Sequence, residues 1–177
     1  MPSIGVEENA IMNKVQARRT LRRINDKRRH FPLSGQIELT YRCNLNCIHC
    51  YCQDLGYIQR ELSTKEWMAI LDMLRAEGCL YLTCTGGEPL VREDFLKIYA
   101  YAKRKGFMIT LFTNGQALVS RLINYLAKSP PSSMEITLNG ITKETYEFIT
   151  RVPGSSARVM NAIQQVKEKK IQLILKP

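Results

Sequence analysis

The chain has 177 residues, 45% hydrophobic and 24% charged, with a net charge of +10; this is the make-up of one soluble globular domain and excludes disordered, collagen-like and low-complexity classes. Its longest run without a charge, Gly106 to Ser120, is 15 residues interrupted by Thr, Asn, Gly and Gln, too short and too polar to span a bilayer, so no membrane partner is expected. The first twenty residues lack the apolar stretch of a signal peptide, which makes the cytoplasm the expected address, and in that reducing compartment six cysteines point to metal binding before disulfides.

Residues 1 to 30 carry eight basic and three acidic side chains, half of the net excess. Arg18, Arg19, Arg22, Arg23, Lys27 and Arg28 define a basic arm or leading helix over residues 1–34. Ile11, Val15, Leu21 and Ile24 give it only a ragged apolar stripe, which argues against a membrane surface or a nucleic acid as partner. The arm reads as a solvated helix or as a dock for an acidic partner such as a peptide substrate.

From residue 35 onward, short β-rich runs alternate with amphipathic helical patterns. Gln36 to Thr40 is the first predicted strand, followed by a Cys-rich loop from Tyr41 to Tyr57. Ser63-x-x-Glu66 forms a capping box, and Trp67, Ile70, Leu71 and Leu74 follow at helical spacing. Leu80 to Thr85 is a strand running into Gly86-Gly87-Glu88-Pro89. A helix over about 93–105 buries Phe95, Ile98, Tyr99 and Ala102, and Gly106 ends it. The third strand, Phe107 to Phe112, leads to Thr113-Asn114-Gly115, and a helix over about 119–127 reaches the breakers Pro130 and Pro131. Met134 to Leu138 is a fourth strand ending at Asn139-Gly140. Thr142-x-x-Thr145 opens a short helix, Pro153-Gly154-Ser155 breaks it, a helix over about 157–169 follows, and Ile171 to Leu175 is the fifth strand.

Steady strand–helix alternation calls for right-handed crossovers, a parallel sheet and outer helices, an α/β fold. In such folds chemistry gathers at the carboxyl ends of the strands, where the Cys loop, Gly86-Gly87, Thr113-Asn114-Gly115 and Asn139-Gly140 all fall. Nothing after the fifth strand closes the sheet, so residues 35–177 read as the front part of a larger barrel-like domain.

Cys43-x-x-x-Cys47-x-x-Cys50 puts three thiols on one loop. Soft thiolates from one short loop match an iron–sulfur cluster with one iron left open. Cys52, or His49, as a fourth ligand instead closes the loop around zinc as a non-catalytic module. Cys79 and Cys84 stand at the start and near the end of the second strand and read as packing residues.

Cys43-x-x-x-Cys47-x-x-Cys50 after a first strand, with Gly86-Gly87-Glu88-Pro89 closing the second, resembles the radical S-adenosylmethionine (radical SAM) enzymes, as does the string Leu39-Thr40-Tyr41-Arg42-Cys43-Asn44-Leu45-Asn46-Cys47 with Cys50-Tyr51. The resemblance implies a partial (βα) barrel in which Cys43, Cys47 and Cys50 hold a [4Fe-4S] cluster whose open iron is chelated by S-adenosylmethionine. It implies cosubstrate contacts from Gly86, Gly87 and Glu88 toward the methionyl amino group, from His49 on the adenine side, and from Asn114 and Thr137 at the third and fourth strand ends. Thr137-Leu138-Asn139-Gly140 has an amide where many relatives carry an acid. Glu144 to Ser155 resembles the branch with an extra C-terminal cluster domain, which includes peptide maturases, sulfatase-maturing enzymes and enzymes of cofactor and modified-haem synthesis. The implied partners are a peptide, protein or small-molecule substrate and a reducing donor such as a flavodoxin or ferredoxin. A chain ending at Pro177 is expected to bind the cluster without necessarily turning over.

Overall fold

The structure, a computed structural model, describes residues 32–52 and 60–177. The basic arm predicted over 1–34 lies almost wholly outside the described residues, as do positions 53–59 of the cysteine loop.

The elements in chain order are β1 (Ser34–Glu38), α1 (Thr64–Ala76), β2 (Tyr81–Thr85), a 3-10 turn (Pro89–Val91), α2 (Phe95–Arg104), β3 (Met108–Thr113), α3 (Ser120–Lys128), β4 (Ser133–Thr137), α4 (Lys143–Thr150), α5 (Ser155–Glu168) and β5 (Leu173–Lys176). The strands form one sheet in the order β1-β2-β3-β4-β5, and each neighbouring pair is parallel. Sequential order with a helical crossover between successive strands is the winding of a (βα) barrel wall.

Period-two alternation decides the two faces of the sheet. Leu82, Cys84, Ile109, Leu111, Met134 and Ile136 are each at most 2% exposed and meet Leu71, Ile98, Tyr99, Ile123, Leu126 and Val166 of the helices in one core cluster. Burying each such aliphatic side chain contributes about 1.5–3 kcal/mol. The alternate positions Gln36, Thr83, Thr110 and Ser133 line up rung by rung across four strands and make the opposite, polar face. There the Ser133 hydroxyl donates to Thr110 Oγ1 at 3.3 Å.

The helix ends follow the local chemistry. Ser63 caps α1 in a complete capping box with Glu66. Most element boundaries lie one or two residues from expectation, and for the first and fifth strands the reason is identifiable. The first strand ends at Glu38, yet Leu39 N–H still donates to Thr85 O at 3.0 Å; beyond it Thr40 turns to serve the Gly86-Gly87 loop. The fifth strand starts at Leu173 because the preceding residues close α5: Lys170 takes a left-handed φ of 55° and Ile171 N–H donates back to Val166 O at 3.3 Å. Ile171 is 5% exposed and packs back on the core, the usual hydrophobic contact of such a helix terminus.

Candidate functional site

The cysteine loop leaves the carboxyl end of β1 and is held by backbone hydrogen bonds. Asn46 N–H donates to Thr150 O at 3.1 Å and Ile48 N–H to Ile149 O at 2.9 Å. These acceptors are among the last carbonyls of α4, which no further helical turn satisfies, so the end of α4 is an anchor for the loop. The helix stops there because Arg151 adopts a left-handed conformation, φ 54°, ahead of Pro153. Sequence reasoning placed this break but not its purpose.

A second anchor is the Gly86-Gly87 turn at the end of β2. Gly87 N–H donates to Thr40 O at 2.7 Å and Glu88 N–H to Arg42 O at 2.9 Å, which ties the turn to the residues before Cys43. A side chain at position 87 has no room: a Cβ there meets Arg42 O at 2.5 Å and Tyr41 O at 2.6 Å. Gly86 has a φ of 131°, a conformation side-chain-bearing residues rarely adopt. The two glycines thus let two backbone segments touch at the site.

Behind the loop, buried Arg92 braces β1. Its guanidinium donates to Leu39 O at 2.7 Å and Leu62 O at 3.1 Å, and its Nε and Nη2 each reach Asp94 at 2.8 Å. The paired guanidinium holds the Asp94 carboxyl down at about 2. Glu61 accepts from the Thr40 hydroxyl and from Arg42.

Cys43, Cys47, Cys50, His49, Gly86, Gly87, Asn114 and Thr137 line one cavity of about 330 Å³ at the carboxyl edge of the sheet. Gln36, Phe112 and Asn139 line it too; the first two were missed. Phe112 sits next to the carboxyl end of β3, a position the strand pattern offered, whereas Gln36 is the middle residue of β1 and reaches the cavity from the face it shares with Thr83 and Thr110. Glu88 is placed differently. Its side chain is 0% exposed, and the carboxylate accepts from Leu90 N–H at 3.0 Å, from the Thr113 hydroxyl at 2.9 and 3.0 Å and from Asn114 N–H at 2.7 Å. Burial pushes its pKa up to about 7 against the pull of those donors. The side chain therefore ties the ends of β2 and β3 together, and only its backbone borders the turn.

All six cysteines are thiols, not disulfides. Burial, followed by the neighbouring charges of Cys43 and Cys50, pushes the Cys47 thiol up to about 11; burial also raises Cys43. Cys79 and Cys84 are 0% and 2% exposed within the hydrophobic core, as packing residues should be. Cys52 is buried but also borders the cavity.

Among the described residues, no three His, Cys, Asp or Glu side chains gather closely enough to hold a single metal ion. A zinc site draws its donors to about 2.3 Å of one ion, whereas a cluster takes each thiolate on its own iron. Three thiols around a roomy cavity, beside a turn whose backbone is bared by glycine, fit a cluster and a cosubstrate.

The model of the radical SAM superfamily matches residues 37–175. The chain belongs to the radical SAM superfamily. Enzymes of this superfamily pair a [4Fe-4S] cluster with S-adenosylmethionine. Among its radical SAM relatives, Fe-coproporphyrin III synthase of Methanosarcina barkeri is 32% identical over 140 residues, covering 78% of this chain and 35% of the relative. Mycofactocin maturase MftC of Mycobacterium ulcerans is 34% identical over 135 residues, covering 76% and 36%. The chain thus spans about a third of the length of these relatives. Of solved radical SAM folds, Streptococcus suis SuiB bound to S-adenosylmethionine superposes with a TM-score of 0.71 at 21% identity, covering 90% of this chain and 35% of that one. SuiB bound to its precursor peptide SuiA gives a TM-score of 0.70 at 20% identity, covering 90% and 36%. No helix among the described residues is long and apolar enough to cross a membrane.

Proposed function

We propose that this chain carries the cluster- and cosubstrate-binding part of a cytoplasmic radical SAM enzyme that modifies a peptide, a protein or a cofactor precursor. One observation carries the reading: Cys43, Cys47 and Cys50 share a single cavity with Gly86, Gly87, Asn114 and Thr137, on a sheet edge where two backbone anchors fix the loop. When bound, the cluster and S-adenosylmethionine supply a 5′-deoxyadenosyl radical, formed with methionine after one-electron cleavage of the sulfonium.

The residues present do the rest. Cys43, Cys47 and Cys50 hold three irons and leave one for the cosubstrate. Gly86 and Gly87 offer backbone carbonyls to its amino group, His49 borders its adenine side, and Thr137 offers a hydroxyl at the end of β4. Phe112 and Gln36 line the same cavity, one offering an apolar ring and the other an amide to whatever occupies it. The maturase and haem-pathway relatives support a peptide or cofactor-precursor substrate, and a small reducing protein such as a flavodoxin or ferredoxin is the electron donor.

Anaerobic reconstitution tests the reading. The chain takes up about four irons and four sulfides, and Cys47→Ala loses them. Uptake of zinc in place of iron, or a variant that keeps a full complement, refutes it.

A further inference from the structure

Asn114 is held through its backbone N–H and through both ends of its side-chain amide. Its backbone N–H donates to Glu88 Oε2 at 2.7 Å. Its side-chain Oδ1 accepts from Gln116 N–H at 2.9 Å, closing a local turn of the kind asparagine favours. That acceptor role fixes which end of the amide is which. The NH2 end therefore points across to the cysteine loop, donating to Asn44 Oδ1 at 2.8 Å and to Cys43 Sγ at 3.4 Å. Cys43 Sγ receives a second N–H, from Leu45, also at 3.4 Å. Glu88 keeps the approach in place: it grips the Thr113 hydroxyl as well as Asn114, and Thr113 Oγ1 in turn accepts Gly115 N–H at 3.0 Å.

We propose that Asn114 is a positioning residue that sets the reduction potential of the cluster by hydrogen-bonding the sulfur of Cys43, with Glu88 aiming it. The inference rests on the functional reading above. Reduction adds one electron, and hence one negative charge, to the cluster and its thiolates. An N–H dipole aimed at a ligand sulfur stabilises the more negative, reduced form more than the oxidised one, and hydrogen bonds to sulfur are among the levers that set cluster potentials. In a partly desolvated site the effect is larger than in water. Asn114 thereby makes the electron easier to load, and its amide is engaged by the loop in addition to bordering the cavity.

The test is a mediated dithionite titration of the reconstituted chain, following the reduced cluster by electron paramagnetic resonance. Asn114→Leu removes the donor at similar volume; Asn114→Ser keeps a turn-forming oxygen but is too short to reach the sulfur, and serves where the leucine variant does not fold. The expected result for either is a tenfold less favourable one-electron reduction, a midpoint lower by about 59 mV. Asn114→Asp, which replaces the donor with a charged acceptor, shifts it further in the same direction. A merely structural role lowers folding stability while leaving the midpoint alone. Variants with wild-type iron content and an unchanged midpoint overturn the inference and leave the functional reading standing; a wild-type chain that takes up no cluster overturns that reading, and the inference with it.

Discussion

Glu88→Gln separates the electrostatics of the sheet edge from its packing. The Glu88 carboxyl titrates from the ordinary 4.5 in the unfolded chain to about 7 in the folded one, because burial disfavours its charge. The folded state therefore binds more protons across that window, and stability falls as pH rises through it. The full contribution is present below pH 4.5 and gone above pH 7. At about 1.4 kcal/mol per decade of proton concentration, the loss comes to about 3 kcal/mol. Glutamine has no such dependence. Its cost is different: the amide NH2 faces Asn114 N–H, which now lacks an acceptor, at about 1–3 kcal/mol. Urea unfolding of both proteins at pH 5 and pH 8 reads the outcome. The variant is less stable at pH 5 and equal to or more stable than wild type at pH 8. Asp94, held at about 2, titrates below this window. Parallel pH profiles for the two proteins refute the reasoning.

Gly87→Ala forces a methyl against Arg42 O and Tyr41 O, and backbone oxygens have nowhere to go. It costs about 1–3 kcal/mol and lowers iron uptake, read by thermal unfolding and metal analysis; full uptake at unchanged melting temperature contradicts the tight approach. Cys52→Ala retains the cluster after reconstitution, and loss of iron in that variant refutes the three-ligand assignment. Arg92→Lys cannot reproduce the fork to Leu39 O, Leu62 O and Asp94. It strands a buried carbonyl, so the urea midpoint falls by the equivalent of about 1–3 kcal/mol; no change in midpoint shows that Lys replaces the brace.

The strands and helices were legible because the chain obeys simple periodicities: short runs rich in β-branched and apolar residues, with Leu82, Cys84, Ile109 and Leu111 buried at every second position, alternate with stretches in which Phe95, Ile98, Tyr99 and Ala102 recur at helical spacing. Boundaries shifted where backbone closure competes with hydrophobicity, as at Ile171, which looks like a strand residue but seals α5. The thiols and the two glycines were legible because their chemistry is local in sequence. The network behind them was not. Arg92 meets Leu39 across 53 positions and Asn114 meets Cys43 across 71, contacts that a one-dimensional pattern does not encode. Glu88 shows the limit most clearly: its place in the motif is plain, but the direction of its side chain is set by donors on β3.

The proposed function depends on an open iron site in a three-thiolate cluster. Electron paramagnetic resonance of the anaerobically reconstituted, dithionite-reduced chain, recorded with and without S-adenosylmethionine, reads that site. A reduced [4Fe-4S] signal that changes when the cosubstrate is added is the predicted result; a signal indifferent to the cosubstrate contradicts an open iron site.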